Sequence, residues 1–269
     1  PLMARESEEI STADAPPIGL IAGGGRLTVI VAAGIRASGR RVCCVGLREQ
    51  FDDDLPERCD AFAPAGIVQL GKWIRLLKRW GAEEAIMVGR VAKTRMHDPF
   101  KLFRQLPDLR AVRLWYRTLR HDRRNAVLLA AVADELSASG VRLIDSTTFI
   151  PDHLASEGFM TERVQPSDAA RADIAFGWPL LERLVELDIG QSIAVRDRDV
   201  LCVEAVEGTD RMIERAGELC KAKGWTLLKT SSSEHDRRAD VPTIGVHTVE
   251  RVAQLGGRCI ADRKSTRLN

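Results

Sequence analysis

The chain reads as an α/β protein, with a parallel sheet in its first part and a second, smaller α/β unit after it. Three observations lead there. Short β-branched or apolar runs alternate with amphipathic segments of helical length, the pattern of a parallel sheet covered on both faces. The alternation lapses over "STTFIPDHLASEGFMTERVQP" (146–166) and then resumes. A length of 269 residues suffices for two domains, each with its own core.

In chain order, "IGLIA" (18–22) is the first strand and ends in Gly23, Gly24 and Gly25. "LTVIVAAGIRASG" follows at helical length and closes on Gly39. "RVCCVGL" (41–47) is the next strand, "IVQLGKWIRLLKRWG" (67–81) an amphipathic helix and "EAIMVG" (84–89) the third buried strand. "NAVLLAAVADELSASG" (125–140) is a helix leading to the strand "VRLID" (141–145). In the second unit, "SDAARADIAFGWPLLERLVELD" is helical, with a kink or break expected at Pro179. "QSIAVRD" and "DVLCVEAV" flank Arg198 as a hairpin. "GTDRMIERAGELCKAKG" (208–224) is a helix with Thr209 or Asp210 as its N-cap. "WTLLKT" is a strand and "VHTVERVAQLGG" a further helix. The expected division is a disordered leader at 1–16, a first domain at 17–150, a linker at 151–166 and a second domain at 167–262. "RKSTRLN" (263–269) reads as an unstructured tail foreign to the domain, which itself reads as clipped.

Hydrophobic residues at 45% and charged residues at 29% place the chain among soluble globular proteins. A net charge of +2 means that any electrostatic signal must be local. Six cysteines form no C-x-x-C pair and no zinc spacing with the five histidines, as in a reduced, intracellular chain. No signal peptide and no bilayer-length apolar run is present, so the expected location is cytoplasmic or peripheral to a membrane.

The triple glycine stands where a strand hands over to a helix, a place suited to phosphate. A tight turn needs the same residues, and the dinucleotide fingerprint G-x-G-x-x-G fails because Thr28 occupies its third glycine position. In "VEGTDRMI" Gly208 opens a helix; Thr209 and Asp210 supply capping oxygens, or a hold on a ribose hydroxyl or a metal. Residues 90–124 contain eleven Lys/Arg against three Asp, and Arg110, Arg113, Arg117, Arg120 and Arg124 follow one helical face. Such a stripe is a solvated face or a contact for anionic lipid. Thin aromatic content and the absence of a nucleic-acid-binding motif argue against nucleic acid.

"DRRADVPTIG" (236–245) places Asp236, Arg238 and Asp240 at alternate positions before Pro242. Proline favours extended backbone before it, so the three side chains share one side, as a surface ion-pair row or as a catalytic one. Two glycine-opened helix starts, a carboxylate-rich loop and a basic surface suit hydrolysis or transfer at phosphorus.

Together, "IGLIAGGGRL", "LDIGQSIAV", "VEAVEGTDRMI" and "DVPTIGVHTVE" resemble the UDP-2,3-diacylglucosamine pyrophosphatase family of lipid A biosynthesis, in its metal-dependent two-domain form. The resemblance implies a Rossmann-like N-terminal domain, a smaller C-terminal domain, Mg²⁺ as cofactor, and hydrolysis of UDP-2,3-diacylglucosamine to UMP and a diacylated glucosamine 1-phosphate. It implies that Asp240 is the catalytic aspartate, with Asp236 and Arg238 beside it and Asp236 and Asp240 as the metal ligands. Substrate binding falls to Gly23, Gly24, Gly25, Gly208, Thr209, Asp210 and Lys229. The expected partners are that substrate and an anionic membrane surface, and a homodimer is compatible with them. Departures are Thr28 for a usual proline, Ser231-Ser232-Ser233 for a lysine and proline, His235 for a glutamine, and "HDRRNAV" for a Gly-Asp-Asp. The rival readings are a nicotinamide- or flavin-dependent oxidoreductase and a nucleotide-sugar or lipid-binding module without turnover.

Overall fold

The computed structural model of the chain describes residues 15–91, 106–122, 125–230, 243–262 and 267–268. Strands β1 (Ile18–Ala22), β2 (Val42–Leu47), β3 (Ala61–Ala65), β4 (Glu84–Val88) and β5 (Arg142–Leu143) form a sheet in the order β3-β2-β1-β4-β5. Every neighbouring pair is parallel. This is the doubly wound order, which reverses between β1 and β4 and leaves a crevice at their carboxyl ends.

Helices α1 (Leu27–Ala37), α2 (Leu70–Arg79), α3 (Leu109–Leu114) and α4 (Asn125–Ala138) accompany this sheet. Successive strand residues face opposite sides, so β1 needs cover on both. Ile18, Leu20 and Ala22 join Leu27, Val31 and Ile35 of α1 in one core cluster. Ile21 belongs to the other, with Trp73, Ile74 and Leu77 of α2 and Leu136 of α4. Trp73 also donates its indole N–H to the Gly66 carbonyl at 2.9 Å, so the ring is buried with its polar atom satisfied.

Two strands depart from the expected list. β3, "AFAPA", carries Pro64 and small side chains, which argue against a strand buried in the middle of a sheet. It lies at the sheet edge, where proline is tolerated, and makes "EAIMV" the fourth strand rather than the third. "GRCIAD" forms β10 (Gly257–Asp262) and pairs in parallel with β8 (Trp225–Lys229), although glycine and arginine weaken its strand pattern.

The second sheet has the order β10-β8-β6-β7, with β6 (Ser192–Arg196) and β7 (Asp199–Val203) forming the expected hairpin. Its turn puts Asp197 and Arg198 at φ +52 and +60, the left-handed pair of a primed two-residue turn. Buried Asp173 holds that turn by accepting from the Arg198 backbone N–H at 2.8 Å.

Helix α5 (Asp168–Glu186) covers one face of this sheet through Leu181 and Val185. It runs through Pro179 as one helix, so of the expected kink or break there is no break. Pro179 lies on the exposed side, while buried Gly177 allows close packing on Leu228 and Val195. Helices α6 (Thr209–Leu219) and α7 (Val246–Gln254) cover the other face through Met212, Ile213, Ala216 and Val252.

The ends and the basic segment also depart from expectation. Residues 1–14 of the expected leader lie outside the described residues, and the Pro16 carbonyl accepts from Arg40 Nε at 2.9 Å. In the tail expected to be unstructured, β11 (Arg267–Leu268) pairs in parallel with β9 (Thr243–Ile244), a two-residue pairing too short to leave a periodic signature.

Of the arginines expected on one α-helical face, Arg110 and Arg113 lie on α3, Arg117 on a π-helical turn, Trp115–Leu119, that continues it, and Arg120 just after that turn; Arg124 is outside the described residues. A π turn bonds i to i+5, so the 3-4 spacing slips in phase along it. Arg110 moreover pairs with Glu135 of α4 at 2.8 Å.

Candidate active site

Three turns meet at the carboxyl ends of the first sheet: Gly23–Gly25 after β1, Gln50 and Asp52 after β2, and Gly89-Arg90 after β4. Gly24 and Arg90 exchange backbone hydrogen bonds of 2.9 and 2.8 Å. A Cβ on Gly23 would lie 2.6 Å from the Arg90 carbonyl oxygen, and one on Gly24 would lie 2.5 Å from that of Gln50. Close approach of neighbouring backbone therefore accounts for these two glycines. Gly25 has φ +101 and donates its N–H to Asp52 Oδ1 at 3.2 Å. Buried Thr28 fills the place of a third fingerprint glycine, its hydroxyl donating to the Gly25 carbonyl at 2.9 Å. That filled position gives a nicotinamide reading no support.

The second sheet builds the opposite side. Along β8, Trp225 and Leu227 face α6 and α7, and the strand period puts Lys229 on that same face at the carboxyl end. Gly208, at φ +85, is the N-cap of α6, which corrects the expected cap at Thr209 or Asp210. Thr209 is already helical, so its hydroxyl is directed elsewhere. It donates to Glu204 Oε1 at 3.0 Å and accepts from Lys229 Nζ at 3.0 Å. Glu204 Oε2 accepts from the Ser192 hydroxyl. Ser192, Glu204 and Lys229 are 1%, 6% and 6% exposed, a depth at which ionic groups need partners.

Asp210, in the first turn of α6, links the two sheets. Its Oδ2 lies 3.3 Å from Arg90 Nη1, while Oδ1 lies 3.8 Å from Nδ1 of His247 in the first turn of α7. Arg90 and Asp210 side chains are 82% and 40% exposed, so the pair adds little stability and matters for where it stands.

Asp236, Arg238 and Asp240 lie outside the described residues. The described flanks of their segment, Lys229 on one side and His247 on the other, both reach the start of α6. Among the described residues no three His, Cys, Asp or Glu side chains form a metal-binding group.

The structure thus brings Gly208, Thr209, Asp210 and Lys229 together, and sets the glycine turn across from them through Arg90. Sequence reasoning missed Arg90, Glu204, Ser192 and His247. The rule that open α/β sheets bind ligands beyond strand carboxyl ends points to Arg90, directly after "EAIMVG". No comparable signal marks Glu204, an acid between apolar runs.

The LpxI N-terminal domain model matches residues 17–153, and the LpxI C-terminal domain model matches residues 156–268. Over 247 residues the chain is 30% identical to the UDP-2,3-diacylglucosamine pyrophosphatase LpxI of Caulobacter vibrioides, covering 89% of this chain and 85% of that protein. Two domain matches in order and a relative aligned across both leave one conclusion: the chain belongs to the LpxI family.

Proposed function

We propose that the chain hydrolyses the pyrophosphate of UDP-2,3-diacylglucosamine in lipid A biosynthesis, releasing UMP and 2,3-diacylglucosamine 1-phosphate. The pyrophosphatase name of the Caulobacter vibrioides relative supports this substrate. The structural observation that carries the reading is the Arg90–Asp210 contact, which faces the crevice of a doubly wound sheet toward the α6 start and Lys229. Cations and a helix N-terminus beside such a crevice suit a nucleotide pyrophosphate. In this reading residues 17–150 and 167–262 form the two domains, joined through 151–166.

Gly25, Gly208, Thr209, Asp210 and Lys229 bind the phosphates and nucleotide, with Gly23 and Gly24 shaping the turn. Asp240 orients the attacking water and takes up its proton as the new P–O bond forms and the bridging P–O bond breaks. Arg238, two positions away in the motif, supplies a cation beside it in the sequence. Asp236 contributes charge. Magnesium takes oxygen ligands and is held through one or two carboxylates plus substrate phosphates, and the Asp236 and Asp240 pair fits that donor chemistry. Such an ion would neutralise charge on the pyrophosphate.

The test is UMP release from UDP-2,3-diacylglucosamine in the presence of Mg²⁺. Asp240→Ala is expected to lower turnover by about two decades or more and to leave substrate binding largely intact. Near-normal turnover in that variant would remove Asp240 from the chemistry; no UMP from the unaltered chain would overturn the reading.

A further inference from the structure

We propose that Glu204 is a positioning residue for the phosphates of the substrate, acting through Thr209 on Lys229; this rests on the functional reading above. A threonine hydroxyl carries a single proton. Glu204 Oε1 accepts it at 3.0 Å, so oxygen lone pairs are left facing Lys229 Nζ, also at 3.0 Å. The Ser192 hydroxyl holds the other carboxylate oxygen and prevents the group from turning. The backbone is fixed as well, because a Cβ on Gly190 would stand 2.0 Å from the Glu204 carbonyl oxygen. The chain of contacts therefore has one hydrogen-bond direction, from ammonium to hydroxyl to carboxylate.

Helix electrostatics explain why Lys229 needs such a support. The N-terminus of α6 is the positive end of its dipole, where a cation is disfavoured and an anion is favoured. At that place Lys229 is 6% exposed, a depth at which an ammonium needs hydrogen-bonding and ionic support. Buried Glu204, one hydroxyl away, offsets part of that cost. Thr209 has no capping duty to explain its hydroxyl, since Gly208 is the cap.

Steady-state UMP release by the unaltered chain, Glu204→Gln, Thr209→Val, Thr209→Ser and the Glu204→Gln/Thr209→Val double variant tests the proposal. KM is expected to rise about tenfold in Glu204→Gln and Thr209→Val, with kcat within about threefold, because the contact removed orders a charged hydrogen bond to bound substrate. The double variant should be no worse than either single one, and Thr209→Ser should recover the KM that Thr209→Val loses. A purely structural role lowers the number of active molecules, which cuts kcat and leaves KM alone; that result, or independent multiplying effects, would overturn the proposal. Should Glu204→Gln not fold, the Val and Ser variants at position 209 decide by the same criterion. If the unaltered chain releases no UMP, the functional reading fails separately. Calorimetric titration with UMP then decides: about tenfold weaker binding by Glu204→Gln supports the network, and equal binding, or none by the unaltered chain, overturns it.

Discussion

Gly190 precedes β6 and stands against the backbone of Glu204, so a methyl group there has to move β7 or the turn before it. Gly190→Ala is expected to destabilise the protein by about 1 to 3 kcal/mol, the usual range for forcing extra volume into a packed site. Thermal unfolding of the two proteins checks this; an unchanged midpoint would mean that the turn yields freely. Single residues were legible in the sequence when the backbone itself constrained them. Gly208 and the Thr209-Asp210 pair were found because a glycine before two capping types announces a helix start. Their partners were not, because Arg90 meets Asp210 across 120 positions and Glu204 meets Thr209 only once β7 and α6 have been folded together. The cap itself stands one residue before Thr209 and two before Asp210 for a local reason, the positive φ of Gly208.

Helix α3 and its π turn show the same limit for whole elements. Basic residues at regular spacing predicted a continuous helical face, yet Arg110 is held by Glu135 and the following turn changes its period. Arg113, Arg117 and Arg120 remain exposed beside Leu109, Trp115 and Tyr116, of which Leu109 is 88% exposed. A substrate with two acyl chains lies in a membrane, and each cation near anionic lipid contributes about 1 kcal/mol. Binding to anionic rather than neutral vesicles is expected. Raised salt should weaken it, and changing Arg113, Arg117 and Arg120 to Glu should reduce it by about tenfold or more. Equal sedimentation of the triple variant with anionic vesicles would show that another surface makes the contact. Helices α1, α2, α4 and α6 were legible as elements, although the expected spans 67–81 and 208–224 overran Leu70–Arg79 and Thr209–Leu219. β3 and β10 were not, since proline in one and glycine with arginine in the other mask strands that pairing nonetheless holds at sheet edges.

At the scale of the molecule, chelation is the direct test of charge balance. The substrate's pyrophosphate is anionic, and the two carboxylates at 236–240 already match the charge of Arg237 and Arg238, so the pyrophosphate charge is left for a further cation to neutralise. Turnover is expected to fall by about two decades in excess EDTA and to return with Mg²⁺. Full turnover under EDTA would assign the neutralising role to Arg238 and Lys229. The described residues form no helix long and apolar enough to cross a membrane. The two-part α/β architecture was legible because each half repeats the strand and helix periods. The crevice between them was not, because it arises from which strand ends become neighbours.

Strand order also sets a timetable for synthesis. All five strands of the first sheet lie between residues 18 and 143, so every pairing in it is available before the second sheet has been translated. The second sheet differs: β8 pairs with β6 on one side and waits for β10, at 257–262, on the other. Domains fold as units from the N-terminus during translation at about 5 to 20 residues per second. While the chain has emerged only as far as residues 230–256, it therefore has a finished first sheet and an open edge on β8, the stage at which a chaperone has most to cover.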